Sequence, residues 1–204
     1  MLTLRKTMRL KLSYCLLLLL LILGGGRASL SAQDYAVKTN ILAEATATLN
    51  LGVELGVAPK WTIDLSGSWN AWSKNEDVKW KHLLIQPEAR YWFCDRFSRH
   101  FIGAHLIGGG FNLGRISNDL SILGTDFSVL NNLRYQGYAY GAGVAYGFAF
   151  MLSKSINLEL EAGFGYAYLD YEIFKCSGCK RNVGDGTHHY VGPTKAAVNL
   201  VVLF

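Results

Sequence analysis

Apolar and polar residues alternate along most of this chain with a period of two. Between 134 and 150 one set of alternate positions is bulky and apolar, namely Tyr138, Tyr140, Val144, Tyr146, Phe148 and Phe150. The positions between them are mostly glycine and alanine. Side chains of a β-strand point to opposite faces in turn, so this pattern predicts a strand with one bulky apolar face. Residues 195–204 repeat the pattern and end on Phe204.

Eight segments have this character, and they lie at 35–43, 49–57, 60–72, 80–93, 99–112, 134–150, 155–172 and 189–204. Most reach the roughly 9–11 residues that a tilted membrane-spanning strand needs. Short connections fall at 58–59, 94–98 and 151–154, a brief one at 44–48, and longer ones at 73–79, 113–133 and 173–188. Eight strands put both termini on one side, so the short turns share that side and the long loops share the other.

The second face of these strands is small or polar, with a few charges of both signs. A soluble barrel would turn its bulky apolar face inward and its charges outward. Small and charged residues suit a narrow interior better, and large aromatic residues suit lipid and its interfaces. We therefore predict an all-β fold, an eight-stranded antiparallel transmembrane β-barrel. The apolar stretch 138–152 is too short for a membrane helix, and its period is that of a strand.

The N-terminal segment has the pattern of an export signal. Four basic residues lie before Leu12, an apolar stretch runs to Leu23, and small residues follow through Ala28. A basic, then apolar, then small-residue order is typical of a cleaved signal peptide. We predict a signal peptide at 1–32 and a barrel domain at 33–204, with a short N-terminal anchor as the alternative. N-terminal sequencing of the outer-membrane fraction should find Gln33 at or near the first position.

The charge balance of the chain is different when the predicted signal peptide is left out. Of the 20 lysines and arginines, five precede residue 33, where no acidic residue occurs, leaving 15 basic and 15 acidic residues. The basic balance of the whole chain therefore gives no support for nucleic-acid binding. Charged residues make up 17% of the chain, below the ~25% of ordinary soluble proteins.

Several segments resemble an uncharacterised family of small outer-membrane proteins of Bacteroidota, a domain of unknown function. They are 37–42, 49–55, 61–67, 101–105 and above all 86–93, Gln-Pro-Glu-Ala-Arg-Tyr-Trp-Phe. The resemblance covers the whole predicted mature chain and implies an outer-membrane barrel in the cell outer membrane. Members often lie near fimbrial genes, which implies a fimbrial or other surface protein as a partner. The family has no established catalytic residues or cofactors, so none is carried over.

Eight charged residues fall on inward positions of the predicted strands: Lys38, Glu54, Asp64, Glu88, Arg90, Glu159, Glu161 and Lys195. Isolated charges in a narrow interior are costly, so we expect them to pair. A structural ion-pair network that plugs the lumen is the favoured interpretation. A selective pore or a site of paired carboxylates is the alternative.

Cys176 and Cys179 lie in the last long loop, with two histidines nearby. Outside the inner membrane a disulfide is the default for two close cysteines; a metal site or free thiols remain alternatives. We predict no metal site. Cys94 falls in a short turn on the opposite side and is predicted to be a free thiol.

No catalytic motif is present. An enzyme that modifies lipid would need a nucleophile or base near the outer rim, and the candidates are Asp170, Asp185, His188, His189 and Ser128. His105 lies nearer the middle of its predicted strand, and we interpret it as a packed histidine or as part of the aromatic girdle at the membrane interface. We expect a non-enzymatic, cofactor-free membrane scaffold or anchor whose long loops bind a protein partner and whose outer face contacts outer-membrane lipid. A small-solute pore and a lipid-modifying enzyme are the alternatives.

Overall fold

The strand pattern of the sequence is realised as a closed ring in a computed structural model that describes residues 34–74, 78–114, 121–122, 125–126, 133–174 and 182–204. Its strands are β1 (Tyr35–Asn40), β2 (Leu49–Ala58), β3 (Trp61–Lys74), β4 (Val78–Trp92), β5 (Arg99–Gly114), β6 (Ser121–Ile122), β7 (Thr125–Asp126), β8 (Arg134–Met151), β9 (Ile156–Phe174) and β10 (Asn182–Leu203). One short helix, α1 (Ile41–Ala45), follows β1.

Eight of these strands form a closed antiparallel barrel in the order β1-β10-β9-β8-β5-β4-β3-β2. The remaining two, β6 and β7, have two residues each and form a separate antiparallel pair. The prediction of an eight-stranded antiparallel β-barrel is confirmed. Closure pairs backbone groups around the ring, which is how strands satisfy their hydrogen bonds in lipid. No helix in the described ranges has the length and apolar character needed to cross a bilayer.

Apolar side chains cover the outside of the barrel, and charged ones lie within it. Leu106 is 60% exposed and Val144 is 66% exposed, while Arg90 and Glu54 are completely buried. This is the inverse of a soluble barrel and matches the lipid-facing band of a transmembrane barrel. Aromatic pairs lie at both ends of the band, including Tyr91 with Phe93 and Tyr166 with His189.

The last two strands are longer than predicted. β9 continues to Phe174, and β10 begins at Asn182 rather than at 189. Most of the predicted loop 173–188 is therefore strand, in continuous register from Gly184–Ile173 to Pro193–Phe164. A strand segment outside the hydrocarbon does not need an apolar face, so its polar sequence has the same pattern as a loop. The loop predicted at 113–133 similarly begins only after Gly114 and contains the β6–β7 hairpin.

The first strand is shorter than predicted and stops at Asn40 instead of residue 43. Asn40 is the N-cap of α1, and its side chain accepts a hydrogen bond from the Leu42 N–H at 3.1 Å. A capping asparagine favours a turn into a helix over further strand. The barrel wall beside β10 therefore changes from strand to helix at this point.

Candidate functional site: a buried charge network in the lumen

An apolar layer closes the terminal end of the barrel interior. It contains Ala36, Trp92, Phe97, Phe101, Ala149, Val201 and Leu203, all buried. The β4–β5 turn folds Phe97 inward with a φ of 61°, and the Asn157 side chain donates to its carbonyl at 2.7 Å. This layer excludes water from the terminal side of the charges above it.

Arg90 is the centre of the charge network. Its Nη1 donates to Glu54 Oε2 at 2.8 Å and to Glu159 Oε1 at 3.0 Å. Its Nη2 donates to Glu161 Oε2 at 2.7 Å, and its Nε donates to Glu88 Oε1 at 2.6 Å. The guanidinium also lies 4.4 Å from the centroid of the Phe101 ring. Arginine suits this position because its planar group has five donors and remains charged when buried.

Two lysines, on the neighbouring strands β1 and β10, complete the layer. Lys38 Nζ lies 2.8 Å from Glu54 Oε2 and 3.0 Å from Asp64 Oδ1. Lys195 Nζ lies 2.6 Å from Glu88 Oε2 and 3.0 Å from Glu161 Oε1. The structure thus brings all eight charged residues predicted from the sequence into one connected group. With five carboxylates around three cations, the layer attracts cations or protons rather than anions.

Three polar residues that the sequence analysis did not assign to the network also belong to it. Thr62 donates to Glu54 Oε1, and the Trp92 indole donates to Thr62 Oγ1 at 2.9 Å. His105 is buried in the lumen, with Nε2 2.9 Å from Thr194 Oγ1 and Nδ1 3.7 Å from Glu88 Oε2. The alternation of β3, β4 and β5 places these side chains inward, and that period is the available signal in the sequence.

Glycines on the inner wall give the large side chains their room. A Cβ added at Gly103 would lie 2.4 Å from a Glu88 oxygen, and one at Gly143 would lie 2.7 Å from the His105 ring. A Cβ at Gly147 would lie 2.2 Å from the Phe101 ring. These three glycines therefore leave room for specific charged or aromatic side chains of the interior.

The interior is not filled between the charge layer and the loop end of the barrel. A cavity of about 180 Å³ lies against Lys38, Asp64 and Lys195. A larger cavity of about 660 Å³ lies at the loop end, where its lining includes Asn70, His82, Phe111 and Tyr171. The charged residues therefore block the lumen at one level only, and polar cavities lie between that level and the loops.

The described candidate catalytic residues are divided between the two faces of the β9–β10 pair. Asp170, Asp185 and His189 are exposed on the outward positions of β9 and β10, while His188 is on an inward position. The ring of His189 instead lies beside Tyr166, with Nδ1 2.6 Å from the hydroxyl. Because neighbouring residues of a strand face opposite sides, His188 and His189 cannot serve one substrate.

Other candidate residues are placed only in part. Cys94 is a free, exposed cysteine in the β4–β5 turn. Ser128, Cys176, Cys179 and the predicted signal segment lie outside the described residues. Within the described ranges, no group of three histidine, cysteine or acidic residues is arranged to hold a metal ion.

Comparison with known proteins finds one matching family. The profile of a family described as "Protein of unknown function (DUF3575)" matches residues 15–204. No curated protein matches the chain. Among solved structures, the crystal structure of Neisserial surface protein A matches with 17% sequence identity and a TM-score of 0.38, over 84% of this chain and 95% of that one.

Proposed function

We propose that this chain, which belongs to the DUF3575 family, is a non-enzymatic scaffold of the cell outer membrane whose loop side binds a surface protein. The barrel is of the outer-membrane type, and the export signal predicted at its N-terminus fits that location. Lipid would contact its apolar belt. The resemblance noted above points to a fimbrial or other surface-assembly component as the partner.

The observation that carries this proposal is the buried charge layer. Arg90, Glu54, Asp64 and Glu88 are at most 2% exposed, and ion pairs cross the lumen from β3 and β4 to β9 and β10. A solute moving through the barrel would have to break several buried ion pairs at once. Removing one partner of such a pair costs about 3–5 kcal/mol, which opposes a pore.

The loops are the part of the barrel that is left to bind a protein partner. Its sequence combines Leu120, Leu123 and Phe127 in one segment with Lys180 and Arg181 in another. Binding residues concentrate on loops held by a rigid scaffold. An apolar loop sequence together with a basic one suits a protein partner with an apolar, acidic surface.

Replacing 115–132 with a short glycine-serine turn should remove the partner while the barrel stays folded. The same exchange at 175–181 tests the second loop, and exchange of 152–155 on the terminal side is the matched control. Surface proteins that co-purify with each variant are to be compared with lipid A composition and solute flux into liposomes. Unchanged partners with altered lipid A, or flux through the intact barrel, would contradict the proposal.

A further inference from the structure

One seam of the barrel wall is incomplete on the loop side. β1 pairs with β10 only from Ala36–Leu203 to Asn40–Asn199, whereas β10 continues to Asn182. Within the described ranges, no strand pairs with the β1-facing edge of β10 above Asn199. Across the gap, β2 starts only at Leu49. The wall here lacks the outer half of one strand.

The helix α1 occupies this gap at the depth of the lipid. Its Ile41 and Leu42 side chains are exposed, as are Leu49 on β2 and Val191 on β10. Large exposed apolar side chains on both sides of the gap belong to the same outer belt as the rest of the barrel. The seam therefore faces the hydrocarbon of the loop-side leaflet.

The edge of β10 is satisfied by side chains rather than by a strand. The Asn40 side chain donates to the Ala196 carbonyl at 3.2 Å and accepts from the Val198 N–H at 3.2 Å. Higher up, Pro193 has no N–H, and its carbonyl accepts from the Tyr190 hydroxyl at 3.1 Å. Proline is found on strand edges for this reason. Open edges are otherwise excluded from lipid unless they line a polar cavity.

A polar cavity lies directly behind the seam. The cavity of about 180 Å³ touches Asn40, Asn50, Ala196 and Ala197 at the seam and reaches Asp64 at the charge layer. This is room for about six waters. Both Asp64 carboxylate oxygens are buried: Oδ1 lies 3.0 Å from Lys38, and Oδ2 lies 3.6 Å from Arg90 and 3.8 Å from Lys195, but neither oxygen accepts a hydrogen bond of good geometry. A ligand hydroxyl could supply a well-aligned donor.

We propose that the seam between β10 and β2 is a lateral entrance that admits the hydroxyl-bearing headgroup of a loop-side lipid into this cavity. The acyl chains would stay in the bilayer beside Ile41 and Leu42. The headgroup hydroxyls would donate to Asp64, and the surrounding serine and asparagine side chains would bind the remaining oxygens. This site is separate from the loops proposed to bind a protein, so either proposal can fail alone.

The chain offers a matched pair of inward alanines for the test. Ala197 lines the cavity at the seam, whereas Ala145 lies on β8 away from the seam; both are 6% exposed. Each is changed to cysteine in a variant whose other cysteines are serine, and the proteins are reconstituted in phosphatidylethanolamine–phosphatidylglycerol vesicles. A maleimide carried on a lipid headgroup should label Ala197→Cys at least tenfold faster than Ala145→Cys. Both should react equally after unfolding.

Two additional variants test whether the reagent enters through the seam or through the open end of the barrel. His82→Cys, in the loop-end cavity, should react with a water-soluble maleimide but slowly with the lipid-borne one. Asn40→Ala removes the side chain that joins α1 to β10, so it should raise the lipid-borne labelling of Ala197→Cys further. Labelling of Ala197→Cys no faster than that of Ala145→Cys, with or without Asn40→Ala, would overturn the lateral entrance.

The headgroup class is tested in the same vesicles. Added glucosyl diacylglycerol should slow the reaction of Ala197→Cys with the water-soluble maleimide, and an equal amount of phosphatidylcholine should not. Equal rates with the two lipids would overturn the assignment of a hydroxyl-bearing headgroup.

Discussion

Replacing Arg90 with alanine is expected to destabilise the folded barrel by about 3–5 kcal/mol, the cost of removing one partner from a buried ion pair. Arg90 donates to four glutamates, of which Glu54 and Glu159 share its Nη1. Without the guanidinium these carboxylates would have only lysines as cationic partners, in a layer that already has more acidic than basic groups. Urea unfolding in lipid vesicles, followed by heat-dependent gel migration, measures the loss.

Arg96→Ala is the matched control for this variant. Arg96 pairs with Asp34 near the surface, where the Asp34 side chain is 64% exposed, so its loss should cost ~0–1 kcal/mol. A double variant, Arg90→Ala with Glu161→Gln, should recover part of the stability because it removes one stranded charge. If Arg90→Ala unfolds at the same urea concentration as the parent, the charge layer does not hold the barrel together.

Gly109→Ala is expected to destabilise the barrel by about 1–3 kcal/mol, the range for overpacking a close-packed site. A Cβ there would lie 2.3 Å from the Leu83 carbonyl oxygen and 3.0 Å from the Leu84 Cα. Both are backbone atoms of the neighbouring strand and cannot rotate away, so β4 and β5 would have to separate. The same urea experiment measures the effect.

The adjacent residue gives an unusually close control. A Cβ at Gly108 would have nothing within 4 Å, so Gly108→Ala should leave stability unchanged or raise it slightly through reduced freedom of the unfolded chain. Equal unfolding midpoints for the Gly108 and Gly109 variants would show that the β4–β5 contact is not as tight as described.

The sequence alone determined the architecture because a membrane barrel imposes a strict period on every strand. Bulky residues had to alternate with small or polar ones, as in Tyr138 to Phe150, and each strand had to reach a minimum length. The same alternation identified the inward charges, Arg90 and its partners among them. These are local properties of single strands, so no knowledge of neighbours was needed.

The sequence was less informative outside the membrane-spanning part of the strands, where no apolar face is required. Residues 182–188 are polar and rich in glycine, and they were predicted as loop, yet they pair with β9. The opposite error occurred at Asn40, where an apolar continuation suggested more strand but the asparagine caps a helix. Period and hydropathy do not distinguish a solvent-exposed strand from a loop.

Only the tertiary structure decided which inward residues meet. Glu54 and Glu159 are far apart in the chain, and their convergence on one guanidinium nitrogen depends on the register and closure of the whole ring. The same closure left the gap between β10 and β2 that α1 fills, and the register of β4 against β5 placed His105 opposite Glu88. Pairing between distant strands, rather than the character of any one strand, sets these contacts, and this is why alternation alone predicted the charges but not their arrangement.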